Sequence, residues 1–215
     1  MYRIDLHSHS INSTDGSITI EDYDKIIKSG RLNYIAITDH NSIDYAKKAN
    51  AKLGENIIIG EEIMTLSGEI IGLYLSEKIP PKLSLEETIN QIKRQNGLVY
   101  LPHPLENIRK GIGLDNLKKI IDKVDIVECY NGRSFTTSIK DQLLKELKLK
   151  NIVCASGSDS HGKIGFGRTM TIINDKPNKE NLVQLLKNAK FINRTAGPIS
   201  RFYPTLNRLR AKYDK

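Results

Sequence analysis

Five histidines are the residues of this chain whose types and spacing point most directly to chemistry. Each stands at or just past the end of a short apolar run, beside a carboxylate, a serine or a proline. Neutral imidazole is the commonest metal ligand in proteins, and carboxylates are its usual partners. We therefore expect these side chains to collect metal at one edge of a sheet. They are His7, His9, His40, His103 and His161.

The spacing within two motifs strengthens the metal hypothesis. His7 and His9 are two residues apart. Because residues i and i+2 of a strand face the same side, both imidazoles can bind one ion. One such pair would fit two ordinary polar residues at a strand end equally well. Asp159 and His161, however, repeat the spacing after another apolar run, and the repetition favours a ligand role.

Two pairs of adjacent residues pose a choice, since neighbours on a strand face opposite ways. In Asp39-His40, His40 is the expected ligand, and Asp39 is assigned a supporting catalytic role in orienting a loop or an imidazole. In Glu61-Glu62, a carboxylate after an apolar run is costly to bury unless it is paired or binds metal. One carboxylate can bridge two ions about 3.5–4 Å apart, as in two-metal hydrolases. Asp15, in a polar loop, fits a turn residue when taken alone.

Strand-length apolar runs alternate with helical patterns, and these elements must position the candidate ligands. A capping box at Ser84–Glu87 begins one helix, which Gly97 ends. Two runs flanking Ser67-Gly68 are typical of a hairpin. The predicted strands are Tyr2–His7, Tyr34–Asp39, Asn56–Ile63, Glu69–Leu75, Leu98–Leu101, Val124–Tyr130, Asn151–Ala155 and Arg168–Ile173.

This alternation implies a mostly parallel sheet. An open sheet would spread the candidate ligands along a line, whereas a closed barrel brings them to one mouth, where β/α barrels carry their chemistry. We therefore expect an α/β fold, a small and irregular single-domain barrel with the metal cluster at the C-terminal ends of its strands, rather than a doubly wound sheet. Residues 1–195 are assigned to this domain and residues 196–215 to a basic C-terminal segment packed on it.

Composition narrows the functional classes. The chain has 33 lysines and arginines against 25 acids, and its formal charge of +8 favours anionic partners. No apolar stretch approaches the ~18 residues of a membrane span. The N-terminus lacks a signal-peptide pattern, so we expect a cytoplasmic protein with no membrane partner. Cys129 and Cys154 lie in apolar runs and are expected to be buried free thiols.

Six motifs, in this order along the chain, resemble those of the PHP (polymerase and histidinol phosphatase) family. Each is weak alone, but six in register are specific, and they extend from Asp5 to about Arg168. The resemblance implies a distorted (β/α)7 barrel, similar to a TIM barrel, with metal-dependent phosphoesterase activity. The motifs are Asp5-Leu6-His7-Ser8-His9-Ser10, Asp15-Gly16, Ile37-Thr38-Asp39-His40, Gly60-Glu61-Glu62-Ile63, Pro102-His103-Pro104 and Gly157-Ser158-Asp159-Ser160-His161.

The resemblance also implies two or three divalent ions, which can be zinc, manganese or iron. Glu62 is preferred to Glu61, because the family's Gly-x-Glu pattern falls on Gly60 and Glu62. Many members have a further His or Cys ligand after the strand equivalent to Val124–Tyr130; here Asn131, Cys129 or water would fill that position. The implied ligands are His7, His9, Glu62 and Asp159 for one ion, Glu62 and His103 for a second, and Asp15, His40 and His161 for a third.

These residues predict hydrolysis of phosphate esters by a metal-activated water. Arg133 and Arg168 follow strand runs and could hold a phosphate, or they could be surface arginines. The expected substrate is a small phosphorylated molecule such as a nucleotide. An exonuclease acting on DNA or RNA and a non-catalytic barrel module are the alternatives, and the retained ligands argue against the second.

The chain from Lys187 onward is strongly basic and supports two interpretations. It could be an arm that binds phosphate or nucleic acid. It could instead be a solvated terminal segment, whose removal after Pro204 would leave hydrolysis of a small ester intact. In the second interpretation, four side chains would pack it down, namely Phe202, Tyr203, Leu206 and Leu209.

Overall fold

The computed structural model describes residues 1–134, 138–148, 151–195 and 197–213. Within these ranges the chain forms β-strands and α-helices in alternation, with one hairpin. The strands are β1 (Tyr2–Asp5), β2 (Tyr34–Ile37), β3 (Ile57–Thr65), β4 (Gly68–Leu73), β5 (Leu98–Leu101), β6 (Ile126–Asn131), β7 (Cys154–Gly157), β8 (Thr169–Ile173) and β9 (Lys190–Asn193). The helices are α1 (Ile20–Lys28), α2 (Asp44–Leu53), α3 (Leu85–Arg94), α4 (Gly113–Ile120), α5 (Lys140–Leu147), α6 (Leu182–Leu186) and α7 (Gly197–Tyr213).

A single sheet joins these strands in the order β7-β6-β5-β4-β3-β2-β1-β8-β9. Strands β1, β2 and β3 are parallel, as are β5, β6 and β7. The predicted hairpin is confirmed, because β4 pairs antiparallel with β3 and also with β5. Because β4 is antiparallel to both of its neighbours, β3 and β5 run in the same direction. The C-terminal ends of the six parallel strands, β1 to β3 and β5 to β7, therefore lie at the same end of the sheet.

The sheet closes into a nearly complete barrel where the segments that follow β1 and β7 meet. The Asp159 amide donates to the His7 carbonyl, and the His9 amide donates to the Ser160 carbonyl, both at 2.9 Å. Strand β8 pairs antiparallel with β1, and β9 pairs antiparallel with β8 at the edge of the sheet. The predicted α/β barrel is therefore confirmed. Its exact count of seven βα units is not, since β4 and β8 run against their neighbours.

Burial explains the local patterns from which these elements were predicted. All four residues of β2 are buried, which accounts for its continuous apolar run. Helix α3 buries Leu85, Ile89 and Ile92 on one face. Its predicted capping box is present, because the Ser84 side chain accepts a hydrogen bond from the Glu87 amide and the Glu87 side chain accepts one from the Ser84 amide.

The C-terminal part of the chain differs from the expectation. Strand β9 was missed, because an edge strand of four residues with an exposed lysine has no apolar pattern. Helix α7 was also missed, and Phe202, Leu206 and Leu209 do not pack it down, since they are 63%, 50% and 47% exposed. Asn207 is buried instead. None of the described helices, α7 included, is long and apolar enough to cross a membrane.

Cys129 of β6 and Cys154 of β7 form a disulfide, which corrects the expectation of two free thiols. Both residues are buried, and they lie on neighbouring parallel strands with their Cα atoms 5.5 Å apart. The sequence could not reveal the pair, because helix α5 separates the two strands along the chain.

We expect protein that is unfolded without reductant to show no free thiol on titration with a thiol reagent. The cross-link spans 25 residues. Closing a loop of this size should contribute about 3–4 kcal/mol to the free energy of unfolding. Reductant should therefore lower that free energy, measured by urea denaturation, in the wild type but not in a Cys129→Ser/Cys154→Ser control. Two reactive thiols in the unreduced protein would show that the disulfide is absent.

Candidate metal centre

The five histidines converge at the barrel mouth from four different strand ends. His7 and His9 follow β1, His40 follows β2, His103 follows β5 and His161 follows β7. The His9 ring centre lies 4.1 Å from that of His161 and 4.6 Å from that of His40. The His7 ring centre lies 5.2 Å from that of His9 and 5.6 Å from that of His103. The histidine cluster predicted from the sequence is therefore a continuous group of rings.

Glu62, near the middle of β3, lies at the centre of these rings. Its Oε1 is 3.1 Å from His103 Nε2 and 3.4 Å from His7 Nε2. Its Oε2 is 3.1 Å from His40 Nδ1 and 3.2 Å from His9 Nε2. Burial disfavours the charged carboxylate, but the surrounding imidazoles outweigh burial and hold the pKa of Glu62 well below its usual range. Each oxygen of this buried carboxylate thus faces two imidazoles, and this arrangement would allow Glu62 to bridge two metal ions.

Asp159 completes a second group at the seam between β1 and β7. Its Oδ1 lies 3.7 Å from His7 Nε2 and 3.6 Å from His9 Nε2. The two imidazole nitrogens lie 3.2 Å from each other. A divalent ion would satisfy both nitrogens and the carboxylate at once.

Asp15 completes a third group, which shares His9 with the second. Its Oδ2 lies 3.6 Å from both His40 Nε2 and His161 Nε2. Its Oδ1 is buried and has no hydrogen-bond partner among the described residues. Burial disfavours the charge of this carboxylate, but His161 and His40 hold the pKa of Asp15 below its ordinary value. An unpartnered buried oxygen beside imidazoles fits a cation better than a turn residue.

The described side chains therefore form clusters that can hold metal ions. In each cluster one donor atom per residue lies within 4.8 Å of the others. Mixed imidazole and carboxylate donors accept zinc, manganese or iron, so the donor set does not select one metal. The clusters are His9, Asp15, His40 and His161; His7, Glu62 and His103; His7, His9 and Asp159; and His40, Glu62 and Glu69.

Two of the proposed ligands adopt backbone conformations that cost free energy. Asp159 has a φ of 50°, and His103, between Pro102 and Pro104, has a φ of 27°. Non-glycine residues adopt such angles only when the surrounding structure holds them there, and they concentrate at functional sites. The His103 amide is held by Glu128 and the Asp159 amide by the His7 carbonyl. These hydrogen bonds stabilise the strained backbone at both residues, whose side chains point toward the mouth of the barrel.

Glu61 and Asp39 do not face the cluster. Glu61 accepts a hydrogen bond from the Ile79 amide at 2.9 Å, and burial raises the pKa of Glu61 to about 7. Asp39 accepts hydrogen bonds from the amide and the hydroxyl of Ser10, at 2.7 and 2.5 Å. Of the two supporting roles considered for Asp39, this contact corresponds to orienting a loop, namely the segment that follows β1.

Glu128 is a carboxylate that sequence reasoning missed. Its Oε1 lies 3.0 Å from His7 Nδ1 and accepts a hydrogen bond from the Tyr100 hydroxyl at 2.9 Å. Its Oε2 accepts hydrogen bonds from the His103 amide and from Asn131 Nδ2, both at 2.8 Å. Such a carboxylate keeps the Nδ1 proton of His7 in place and leaves Nε2 to the metal. The available signal was an acid within the apolar run of β6.

Asn131 lies beside the cluster, but its amide group is engaged. Its Oδ1 accepts hydrogen bonds from Arg109 Nη1 at 2.5 Å and from the Arg133 amide at 2.8 Å. Its Nδ2 donates to Glu128. A ligand role for Asn131 stays a prediction from the resemblance, and in this structure the residue positions two arginines.

Two arginines reach the Asp159 carboxylate. Arg109 Nη1 donates to Oδ2 at 2.8 Å, and Arg133 Nη1 donates to Oδ1 at 3.2 Å. Arg109 was not singled out from the sequence, because it lies in a short 3-10 helix, Asn107–Arg109, that has no apolar pattern. Arg168 is exposed at the start of β8, and none of its described contacts involves the cluster. Its phosphate-binding role therefore stays a prediction.

Glu69 of β4 is a further carboxylate at the mouth that was not singled out from the sequence. It is 5% exposed. Burial, followed by the charge of Glu62, raises the pKa of Glu69 to about 9. The residue sits in a predicted strand after a hairpin turn, where an acid would ordinarily be taken for a solvated residue.

A cavity of about 480 Å³ opens over the cluster, and helix α7 forms one of its walls through Pro204, Thr205 and Arg208. Asn207 Nδ2 donates to the Asp15 carbonyl at 2.8 Å and to the His161 carbonyl at 3.1 Å. Removal of the residues after Pro204 would break these bonds, so the expectation that hydrolysis of a small ester survives this truncation stays a prediction. A larger cavity of about 760 Å³ lies beside Tyr74 and Lys176, away from the histidines.

The nearly closed barrel and its mouth of histidines and carboxylates define an α/β barrel with clusters that can hold metal ions. The PHP domain matches residues 5–197, and the chain belongs to this family. The uncharacterized protein MJ1587 of Methanocaldococcus jannaschii is 37% identical over 162 residues, which are 69% of this chain and 95% of that protein.

Two solved structures share the fold. One is a two-domain protein from Bacteroides vulgatus, described as containing a predicted PHP-like metal-dependent phosphoesterase. It has a TM-score of 0.63 and 19% identity, with 96% of this chain and 69% of that chain covered. The other is the lesion-specific endonuclease PfuEndoQ from Pyrococcus furiosus, with a TM-score of 0.64 and 17% identity. The match covers 88% of this chain and 57% of the endonuclease. At these identities the structures show a common fold alone.

We expect Glu62→Gln to lose bound metal and Glu61→Gln to keep it, because only Glu62 faces the imidazoles. Loss of a supporting partner costs about 10–100-fold in metal affinity, and loss of a bridging ligand should cost at least as much. The measurement is metal content by mass spectrometry after dialysis against Mn²⁺ or Zn²⁺, together with the rate of ester hydrolysis. Equal losses, or a greater loss from Glu61→Gln, would show that the wrong carboxylate was chosen.

Proposed function

We propose that this chain hydrolyses small phosphate esters, with nucleotides as the expected class. The observation that carries the proposal is the pair of arginines, Arg109 and Arg133, beside a carboxylate of the metal-binding cluster. Guanidinium groups match the oxygens of a phosphate and bind them through two hydrogen bonds. The barrel mouth thus combines hydrogen-bond donors for an anion with candidate metal ligands. This combination suits a substrate that is an anionic phosphate ester.

The chain's own residues would divide the work between them. His7, His9, Glu62, Asp159 and the third group around Asp15 would hold the ions. When bound, divalent ions supply a water that is partly hydroxide near neutral pH and neutralise the charge that develops on phosphate oxygens. Arg109 and Arg133 would hold the phosphate. No cysteine nucleophile is available, because both cysteines lie in the disulfide.

The size and lining of the mouth support a small substrate. A cavity of about 480 Å³ lies within the range of roughly 300–1,000 Å³ of small-molecule sites. Lys110 and Arg208 add positive charge to its wall, and Met64 and Ile108 add apolar surface. Ile108 is 96% exposed, so its side chain is free to contact the organic part of an ester.

Cleavage of DNA or RNA is the second candidate function. The formal charge of +8 and the fold shared with a lesion-specific endonuclease favour it. The seating of α7 on the site disfavours it, because the basic helix forms a wall of the cavity rather than a free arm. The retained ligand positions leave little support for a non-catalytic module.

The direct test is hydrolysis of a panel of nucleotides, sugar phosphates and oligonucleotides with Mn²⁺, Zn²⁺ or Fe²⁺. We expect small esters to be hydrolysed and a chelator to stop the reaction. Arg133→Ala should lower kcat/KM by about 10–100-fold, because a hydrogen bond to a charged group contributes about 1.5–3 kcal/mol. Arg94→Ala, which removes an exposed arginine at the end of α3, is the matched control. Absence of hydrolysis on every substrate with every metal would refute the proposal.

Arg208→Ala and Arg210→Ala separate the two candidate functions, since both arginines lie on α7 but only Arg208 lines the cavity. For a small ester, we expect Arg208→Ala to raise KM and Arg210→Ala to leave it unchanged. A nucleic-acid backbone along α7 would instead make both substitutions weaken oligonucleotide cleavage. Each would then reduce the slope of log affinity against log salt by about 1. That second pattern would establish the nuclease.

A further inference from the structure

We propose that Glu69 is a ligand of the second metal ion and takes the place of the ligand that this chain lacks after β6. The inference deepens the proposed function and rests on it, because both require ions in the same cluster. It concerns a residue that lies on β4, the strand that runs against its neighbours β3 and β5.

Glu69 and Glu62 face the same two imidazoles. Glu69 Oε1 lies 3.7 Å from His40 Nδ1, and Glu69 Oε2 lies 3.9 Å from His103 Nε2. The same two nitrogens each lie 3.1 Å from an oxygen of Glu62. The two carboxylates therefore stand side by side between His40 and His103.

This arrangement is unfavourable without a cation. The Glu69 side chain is 7% exposed. Its distances to both imidazoles exceed hydrogen-bond length, and none of the described side chains or amides donates a hydrogen bond to it. A carboxylate with so little exposure and no hydrogen-bond donor is costly, and a second carboxylate beside it adds repulsion. A divalent ion between Glu69, Glu62 and the imidazoles would relieve both costs.

The two protein groups that the sequence offered for the missing ligand are engaged elsewhere. Asn131 Oδ1 accepts hydrogen bonds from Arg109 and from the Arg133 amide. Cys129 is bonded to Cys154 and cannot provide a thiolate. Glu69 approaches His103 from the other neighbouring strand, so the hairpin supplies from β4 what β6 does not.

The identity of this ligand changes the character of the second site. Glu69 forms a cluster with Glu62 and His40, and His103 Nε2 lies 3.9 Å from Glu69 Oε2. A site built on Glu69 would thus have two carboxylates and at most two imidazoles. Carboxylate oxygens suit Mn²⁺ better than they suit softer ions, whereas imidazole suits zinc and iron as well. We therefore expect this ion to be the one that exchanges most readily for manganese.

The test is a calorimetric titration of the metal-free, full-length protein with Mn²⁺, followed by electron paramagnetic resonance. Glu69→Gln keeps the shape of the side chain and removes its charge. We expect it to bind one Mn²⁺ fewer per chain than the wild type, or to bind that ion about 100-fold more weakly. Glu61→Gln, a buried glutamate on the other face of β3, is the matched control and should titrate like the wild type.

Thermal melting separates a ligand from a residue that merely supports the fold. Without metal, Glu69→Gln should melt at or above the wild-type temperature, because the wild-type carboxyl group must either take up a proton or stand charged beside Glu62, and glutamine does neither. Its rise in Tm on adding Mn²⁺ should be smaller than that of the wild type. Glu69→Asp, which keeps the charge but withdraws it by one methylene, should give an intermediate loss of Mn²⁺ affinity.

The outcomes distinguish this inference from the proposed function. If Glu69→Gln binds as many ions as tightly as the wild type, or melts lower without metal and gains as much Tm from Mn²⁺, then Glu69 is not a ligand. Ester hydrolysis by that protein would leave the proposed function standing. If the wild type itself binds no Mn²⁺, Zn²⁺ or Fe²⁺, both proposals fail together.

Discussion

The structure depends on the burial of several carboxylates at the mouth of a nearly closed barrel. Glu62, Asp159 and Glu69 lie within a few ångströms of one another's imidazole partners, and each is at most 5% exposed. Like charges so placed repel, and an unpaired buried charge is costly. Imidazoles and two arginines compensate part of this charge, and the donor set suits divalent ions for the rest. The barrel has to be rigid because these groups must stay together.

The rigidity comes from hydrogen bonds to atoms of the candidate ligands, or of the segments that carry them, that do not face the metal-binding cluster. Glu128 holds His7 through Nδ1 and holds the amide of His103. Asp5 accepts a hydrogen bond from the Ser158 amide at 2.9 Å and so joins β1 to the segment that carries Asp159. Burial raises the pKa of Asp5 to about 7, which indicates that closing this seam is itself costly. Ligands on separate strands thereby become one preorganised set.

If the proposed function holds, the same seam would connect metal binding to substrate binding. Arg109 and Arg133 donate to Asp159, and Asn131 holds both arginines in place. A metal ion held by Asp159 would share this carboxylate with the two guanidinium groups. Helix α7 extends the arrangement, because Asn207 ties the helix to the loops of Asp15 and His161 while Arg208 lines the cavity. The positive charge that lines the cavity is thus tied to the loops that carry the candidate ligands.

The alternation of strands and helices, the hairpin at Ser67-Gly68, the α3 cap and the candidate histidines could all be predicted from the sequence, because apolar period and local spacing encode these features. Tertiary contacts were needed to show which side chains face one another. They place Glu62 toward the imidazoles and Glu61 away, Glu69 beside Glu62, Glu128 behind His7, and Cys129 against Cys154. Apart from Glu62 and Glu69, which the β3–β4 hairpin brings together, these contacts join residues far apart in sequence, on strands whose order depends on the closure of the barrel. No local pattern carries that information.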